Sequence, residues 1–218
     1  MKKERIGIFG GTFNPIHKGH VKAVSEVQKI FSLDRVLFIP SYIPPHKGFP
    51  DIAPPFSRLQ MVKLTVAPYP QFIPSPVEIE AKGRSYSVLT LAKLKRRYPD
   101  ALMFFILGVD AFLEIDTWRN YKKVLEQCHF IVISRPGYDL QDAEKILGGE
   151  YTERIIQVLN SPKMDKVMLQ SYKIFLLSIL ALDVASKDIR RKIKMGESIA
   201  GLVVESVEEY IRINKLYQ

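Results

Sequence analysis

The stretch RIGIFGGTFNPIHKGH, Arg5–His20, decides how the rest of the chain is read. An apolar run, Arg5–Gly10, breaks at Gly10 and Gly11, passes through Asn14-Pro15 and reaches two histidines three apart, His17 and His20. A short continuous apolar run closed by glycine predicts a buried strand, and the residues after it predict a helix over about Lys18–Phe31. Glycines at 10 and 11 let backbone N–H groups approach a ligand closely. The start of the following helix adds N–H groups without intrahelical partners and the positive end of a dipole, which together favour an anion. Histidines at i and i+3 share one helix face, and each can donate to a phosphate oxygen. These parts make a phosphate cradle. Two other readings stand beside it: a tight turn carrying two surface histidines, and a metal site, against which counts the lack of a third ligand nearby in sequence. The chain has neither the Gly-Lys pair of a P-loop nor the Gly-x-Gly-x-x-Gly of dinucleotide-binding oxidoreductases.

Working outward, apolar runs alternate with helical patterns. RVLFIP (Arg35–Pro40) reads as a second strand, and the stretch PSYIPPHKGFPDIAPP holds six prolines in sixteen residues and must be a loop. PFSRLQMVKLTVA reads as a helix with Ser57 as its candidate cap, and FIPSPVEIE as an extended stretch whose prolines point to a sheet edge. Val88, Leu91, Leu94 and Tyr98 fall at helical spacing, LMFFILG (Leu102–Gly108) is a buried strand, TWRNYKKVLEQ a helix and HFIVISRPG another strand. Residues 138–170 are polar and partly helical. IFLLSILALDVA reads as a buried strand and its continuation, ASKDIRRKIKMGESI as a helix capped by Ser186, and a last helix falls near Ser206–Leu216. The expected fold class is α/β: a Rossmann-like, doubly wound, mostly parallel sheet with helices on both faces. Parallel strands buried on both sides are continuously apolar, as these are. Ligands of such sheets bind at the carboxyl ends of the strands. There stand Gly10–His20, Pro44–Lys47, Gly108–Asp110 and Arg135. No linker divides the chain, so 1–218 is expected to be one domain.

Composition narrows the class. The 218 residues are 47% hydrophobic and 25% charged, ordinary for a globular protein with a sizeable core. The single cysteine, Cys128, excludes a disulfide framework and a cysteine-only zinc site, suits a reducing cytoplasm, and reads as an inert buried residue. The N-terminus does not have the pattern of a signal peptide, and the most apolar segment is too short to span a bilayer. A net charge of +9 is compatible with an anionic partner, whether nucleic acid, membrane surface or nucleotide. No ribonucleoprotein motif, zinc-finger spacing or continuous basic recognition helix supports nucleic acid. The densest basic run, Lys93, Lys95, Arg96 and Arg97, reads as a solvated helix face.

GGTFNPIHKGH resembles the T/HxGH signature of the nucleotidylyltransferases, with Thr12 and then His17-Lys18-Gly19-His20. Further segments, PPHK (Pro44–Lys47), GRSYS (Gly83–Ser87), GVDAF with TWR (Gly108–Arg119) and SRPG (Ser134–Gly137), resemble bacterial nicotinate-nucleotide adenylyltransferases, and ASKDIR (Ala185–Arg190) resembles their C-terminal phosphate motif. The resemblance implies transfer of an adenylyl group from ATP to nicotinic acid mononucleotide, with Mg²⁺ accompanying ATP and no protein metal cage. It implies that Gly10, Gly11, Thr12 and Phe13 contact the nucleotide, and that His17 and His20 act on the phosphates together with Arg190. Lys47, Ser186 and Lys187 add to the phosphate site, so the C-terminal helical segment, about 186–218, carries part of it. Gly108 and Asp110 sit near ribose. Ser85, Tyr86, Ser87, Trp118, Arg119 and Arg135 form the acceptor site, where Trp118 stacks on the pyridine ring; a plain core role is the alternative for that tryptophan. The chain departs from the family pattern at Lys187, where threonine is usual, and at Ala185, Val109 and Ser87. Rival functions are another adenylyl transfer, above all phosphopantetheine adenylyl transfer, and a nucleotide-binding regulator without catalysis, motivated by Lys187. Neither nucleic acid nor membrane is an expected partner, and the sequence does not specify an oligomeric state.

Overall fold

The structure is a computed structural model that describes residues 3–44, 52–147, 149–159, 171–180, 182 and 184–218. In chain order its elements are β1 (Arg5–Gly11), α1 (Lys18–Phe31), β2 (Arg35–Pro40), α2 (Pro55–Val66), β3 (Phe72–Pro74), α3 (Ser87–Arg97), β4 (Leu102–Gly108) and α4 (Val109–Phe112). After a 3₁₀ turn at Ile115–Thr117 come α5 (Tyr121–Leu125), β5 (His129–Ile133), α6 (Asp142–Ile146), a second 3₁₀ turn at Gly149–Arg154, β6 (Ile155–Val158), β7 (Ile174–Leu177), α7 (Ser186–Lys194) and α8 (Glu205–Ile213). The strands form one seven-stranded sheet in the order β3-β2-β1-β4-β5-β7-β6. The ladders β1–β4, β4–β5, β5–β7 and β7–β6 are parallel. The expected α/β, Rossmann-like class is therefore what the chain adopts. No helix among the described residues is long and apolar enough to cross a membrane.

Contacts within the chain group it into two compact units. The first comprises Met1–Phe9, Val24–Val36 and Tyr86–Ala181. Every residue of β5 and β7 is buried, as are Met103–Leu107 of β4, so these strands are apolar on both faces because both are covered. Phe31 at the end of α1 packs edge-on to Phe175 at 5.1 Å and lies 6.0 Å from Phe104. His129 is buried in this apolar layer, stacked 5.0 Å from Phe104, and its Nδ1 accepts the Lys173 N–H at 3.1 Å. Burial, with help from the Arg154 and Lys173 charges, lowers its pKa to about 4, so it serves as a neutral core residue. Burial likewise pushes the Cys128 thiol up to about 12, leaving it a small apolar side chain. Lys93, Lys95, Arg96 and Arg97 are solvent-exposed on α3.

The second unit comprises Gly10–Ala23, Leu37–Ser85 and Leu182–Gln218. Its packing includes α2 against α8, and Phe38 lies 5.2 Å from Phe72 and 6.2 Å from Phe13. The side chain at its centre is charged. Arg58 on α2 is completely buried, and its guanidinium donates to the carbonyl oxygens of Thr12 (2.7 Å), Ala53 (2.9 Å) and Tyr42 (3.0 Å). Burial lowers its pKa to about 10, which still leaves it protonated at neutral pH. A buried charge is tolerable only when hydrogen-bonded in this way.

Two local expectations are corrected and a third is extended. Ser57 is not the cap of α2: the helix begins at Pro55 with Pro54 in the cap position and no side-chain cap, because proline at the first helical position loses only an N–H that would lack an intrahelical partner anyway. FIPSPVEIE is extended only at Phe72–Pro74, the edge strand, and the chain turns from Val77 on. The polar 138–173 stretch contributes a strand as well as helix, β6 at the opposite edge, where Gln157 is exposed and bonds Glu144.

Gly7, inside β1, has no room for a side chain: a Cβ would lie 2.9 Å from Leu33 Cδ1, 3.0 Å from Val36 Cγ2 and 3.1 Å from Ile106 Cδ1. Overpacking at such a point costs about 1–3 kcal/mol. Gly7→Ala is expected to lower the thermal midpoint by a few degrees in a calorimetric scan; an unchanged or raised midpoint contradicts that packing.

Candidate functional site

In the second unit, the loop that leaves β1 is built by bonds from segments far away in sequence. Ser41 N–H donates to Gly11 O at 2.9 Å, and Arg58 holds Thr12 O. Phe13 has a left-handed backbone, φ 48°, and a Cβ on Gly11 would stand 3.2 Å from its ring, so the glycine makes room for that turn. The Asn14-Pro15 peptide is cis. Asn14 is buried; its Oδ1 accepts from the Ala53 N–H at 3.0 Å and the Tyr217 hydroxyl at 2.8 Å, and its carbonyl accepts from Arg190 at 2.8 Å. The next carbonyl, Pro15 O, accepts from the Ser186 hydroxyl at 2.8 Å.

This loop delivers His17 and His20. The rings lie 3.6 Å apart between centroids, tilted by 30°. The His17 backbone N–H donates to His20 Nδ1 at 3.2 Å, which places the ring proton of a neutral His20 on Nε2. Phe13 packs edge-on against His20 at 5.4 Å. Gly19 between them is also a matter of space: a Cβ there would stand 3.0 Å from His17 Nδ1 and 3.1 Å from Cε1. The two surface histidines of the alternative reading are not what forms, since His17 is only 3% exposed.

Ser186, Lys187 and Arg190 share α7 in this same unit. Ser186 is its first residue rather than its cap; Ala185 occupies the cap position, and the Ser186 hydroxyl is turned to Pro15 O instead of to the helix's own N–H groups. Lys187 is exposed. Ser85 is tied into this unit by its hydroxyl, which accepts the Tyr42 N–H at 2.8 Å, and by its own N–H, which donates to Ile43 O at 2.9 Å. Lys47 lies outside the described residues.

In the first unit, Gly108 ends β4 and caps α4, whose first turn carries Asp110. Asp110 Oδ1 and Arg135 Nε are 3.5 Å apart, both side chains partly exposed. A Cβ on Gly108 would overlap Asp110 Oδ1 and stand 2.9 Å from Arg135 Nε, so glycine is required for that pair to close over the strand end. Trp118 follows the first 3₁₀ turn, half-buried, with its ring edge-on to Phe105 at 6.0 Å. The Arg119 guanidinium lies 4.8 Å over the Tyr86 ring, a cation–π contact. Tyr86 occupies the cap position of α3 and Ser87 its first residue. TWRNYKKVLEQ is helical only over Tyr121–Leu125, which leaves Trp118 and Arg119 on the connection before it.

Arg58 and Tyr217 were not singled out by sequence reading, and Asn14 was noted only as part of Asn14-Pro15, with no role of its own. A signal existed for Arg58, because it stands on the buried stripe of α2 with Leu59, Met61, Val62, Thr65 and Val66. Tyr217 and Asn14 are 203 positions apart, and no local pattern joins them. Among the described residues no group of three histidine, cysteine, aspartate or glutamate side chains could hold a metal ion.

Residues 8–192 match the cytidylyltransferase-like family. The chain is 40% identical over 213 residues to the probable nicotinate-nucleotide adenylyltransferase of Citrifermentans bemidjiense, covering 98% of each chain. It is 41% identical over 217 residues to the protein of the same name in Desulfatibacillum aliphaticivorans, covering 98% of this chain and 99% of that one. In fold it is similar to the Plasmodium falciparum nicotinic acid mononucleotide adenylyltransferase solved with NaAD, at TM-score 0.72 and 18% identity over 98% of this chain and 97% of that one. With this loop and this degree of identity along its whole length, the chain belongs to the cytidylyltransferase-like family and, within it, to the nicotinate-nucleotide adenylyltransferases.

Proposed function

We propose that the protein transfers the adenylyl group of ATP to nicotinic acid mononucleotide, giving nicotinic acid adenine dinucleotide and pyrophosphate, with 1–218 acting as one catalytic domain in the cytoplasm. The observation that carries this reading is the pair of stacked histidines behind Gly10 and Gly11, in a chain about two-fifths identical over its length to nicotinate-nucleotide adenylyltransferases.

An oxygen of the acceptor's 5′-phosphate bonds to the α-phosphorus as the bond to the pyrophosphate oxygen breaks. The nucleophile is already an anion, so no strong general base is needed. The barrier lies in bringing two anions into line and neutralising charge as it moves to the leaving group, which positioned donors supply. In our reading Gly10, Gly11, Thr12 and Phe13 receive the nucleotide, and His17 and His20 donate to the phosphates around the reacting phosphorus. Arg190 gives one of its five N–H donors to Asn14 O and directs others to phosphate. Ser186 and Lys187 open α7 toward the β and γ phosphates, with Lys47 as a further cation. Mg²⁺ accompanying ATP would be held by substrate and water rather than by a side-chain cage, and would supply charge neutralisation at the phosphates. Gly108 and Asp110 take the ribose, and Arg135 fixes Asp110. The acceptor meets the first turn of α3 at Ser87, Tyr86 with Arg119 above it, Ser85, and the face of Trp118.

Removing a donor that acts in the transition state costs on the order of 10²-fold or more. His17→Ala and His20→Ala are each expected to lose at least that much kcat in a pyrophosphate-release assay while keeping the wild-type melting profile. Near-normal turnover in both folded variants removes them from the site.

Stacking on Trp118 serves an acid and an amide ring alike, so discrimination falls to the substituent. A carboxylate accepts charge-assisted bonds from the Ser87 hydroxyl and the first N–H groups of α3, roughly twice as strong as neutral ones. A carboxamide would turn its NH₂ toward donors and leave one unpaired, at about 1–3 kcal/mol. The kcat/KM for nicotinic acid mononucleotide is therefore expected to exceed that for the nicotinamide form by about tenfold to a hundredfold. Equal values show that the ring site is misassigned even where adenylyl transfer proceeds.

A further inference from the structure

We propose that Tyr217, next to the last residue of the chain, is a positioning residue for catalysis: its hydroxyl sets the Asn14 side chain and thereby the loop that presents His17 and His20. This rests on the adenylyl-transfer reading above. After α8 ends at Ile213, Leu216 N–H returns to Ile211 O at 3.0 Å, and Lys215 and Tyr217 both take left-handed backbones, φ 49° and 68°. For residues with side chains that conformation is strained, so it persists only where the surrounding structure over-determines it. The tail uses it to send Tyr217 inward. There the phenol donates to Asn14 Oδ1 at 2.8 Å, and burial raises its pKa, keeping it a donor at working pH.

Asn14 is where the bonds on the loop converge. Its Oδ1 receives both Tyr217 and the Ala53 N–H, so each of its two acceptor sites has a partner. Its carbonyl takes Arg190, and the adjoining Pro15 carbonyl takes Ser186. Asn14 stands three residues before His17, and a change in its placement moves that histidine relative to Arg190, the group beside which it must act. Misplacement of catalytic groups by about 1 Å can cost on the order of 10²-fold in rate. The hydroxyl of Tyr217 bonds Asn14, and it is through Asn14 that it acts.

The test is Tyr217→Phe in the full chain, assayed by pyrophosphate release with ATP, Mg²⁺ and nicotinic acid mononucleotide. The variant is expected to lose about tenfold in kcat, within the range a misplaced loop allows. The KM for each substrate is expected to stay within about twofold and the melting profile to be preserved, since a single hydrogen bond contributes little net stability. Coupling is read from a double-mutant cycle. In an Asn14→Ala background, Tyr217→Phe should cost nothing further. In an Asn14→Asp background, which keeps an acceptor oxygen and covers the case where the alanine variant does not fold, it should again cost about tenfold. A Tyr217→Phe enzyme with wild-type kcat, or a loss that adds in full to Asn14→Ala, overturns the proposal. Absence of turnover in the unaltered protein overturns the adenylyl-transfer reading along with it, whereas a turning-over wild type matched by its Tyr217→Phe variant overturns this inference alone.

Discussion

The buried guanidinium of Arg58 is the interaction on which the candidate phosphate loop depends. It holds three backbone carbonyls, at Thr12 in the loop after β1 and at Tyr42 and Ala53 on the stretch between β2 and α2. Loops have no ladder of their own to satisfy their carbonyls, and a buried unpaired carbonyl is costly. A rigid, forked donor set on a helix resolves that cost and fixes where the loops run. Lysine, with a single ammonium centre, could not span the same three acceptors. From this anchor the rest follows in order: Thr12 is held, Ala53 in turn donates to Asn14, and Asn14 carries the bonds from Arg190 and Tyr217.

What emerges is a loop with little freedom. That is the property the proposed reaction asks for. A reaction between two anions gains most from donors already in place before charge moves, because no reorganisation is then needed at the moment of reaction. The glycines fit the same economy of space. Gly19 leaves His17 its position, Gly11 accommodates the turned Phe13, and Gly108 lets Asp110 and Arg135 approach each other. Ser186 and Arg190 spend bonds on the loop backbone, so the part proposed for them in phosphate binding comes with a structural one.

The sheet was legible in the sequence where burial on both sides forces continuous apolar runs, as in LMFFILG and HFIVI, and α1 was legible over Lys18–Phe31. The edge strand β6 was not, because half of it faces water and Gln157 interrupts its pattern. The caps were misread for a related reason. Ser57 and Ser186 are the residue types that cap helices, but a proline pair starts α2, and a distant carbonyl claims the Ser186 hydroxyl. The histidine pair and its glycines stood out because their chemistry is local to fourteen residues. Arg58 and Tyr217 did not, since what they bind lies as far as 46 and 203 positions away and is backbone or amide oxygen with no residue signature of its own. Family resemblance supplied the residues proposed for the acceptor, and the particular engagement of Ser85 with Tyr42 became visible only in three dimensions.

The central claim is that His17 and His20 position and neutralise phosphate and never bond to it, so that the acceptor attacks the α-phosphorus directly. The stereochemical course at that phosphorus tests this most directly, using ATP made chiral at the α-phosphate with sulfur and oxygen isotopes and nicotinic acid mononucleotide as acceptor. A single in-line displacement predicts inversion of configuration in the dinucleotide product. Retention would mean two displacements through a covalent adenylyl-enzyme, with one of these histidines as the nucleophile, and would contradict the account.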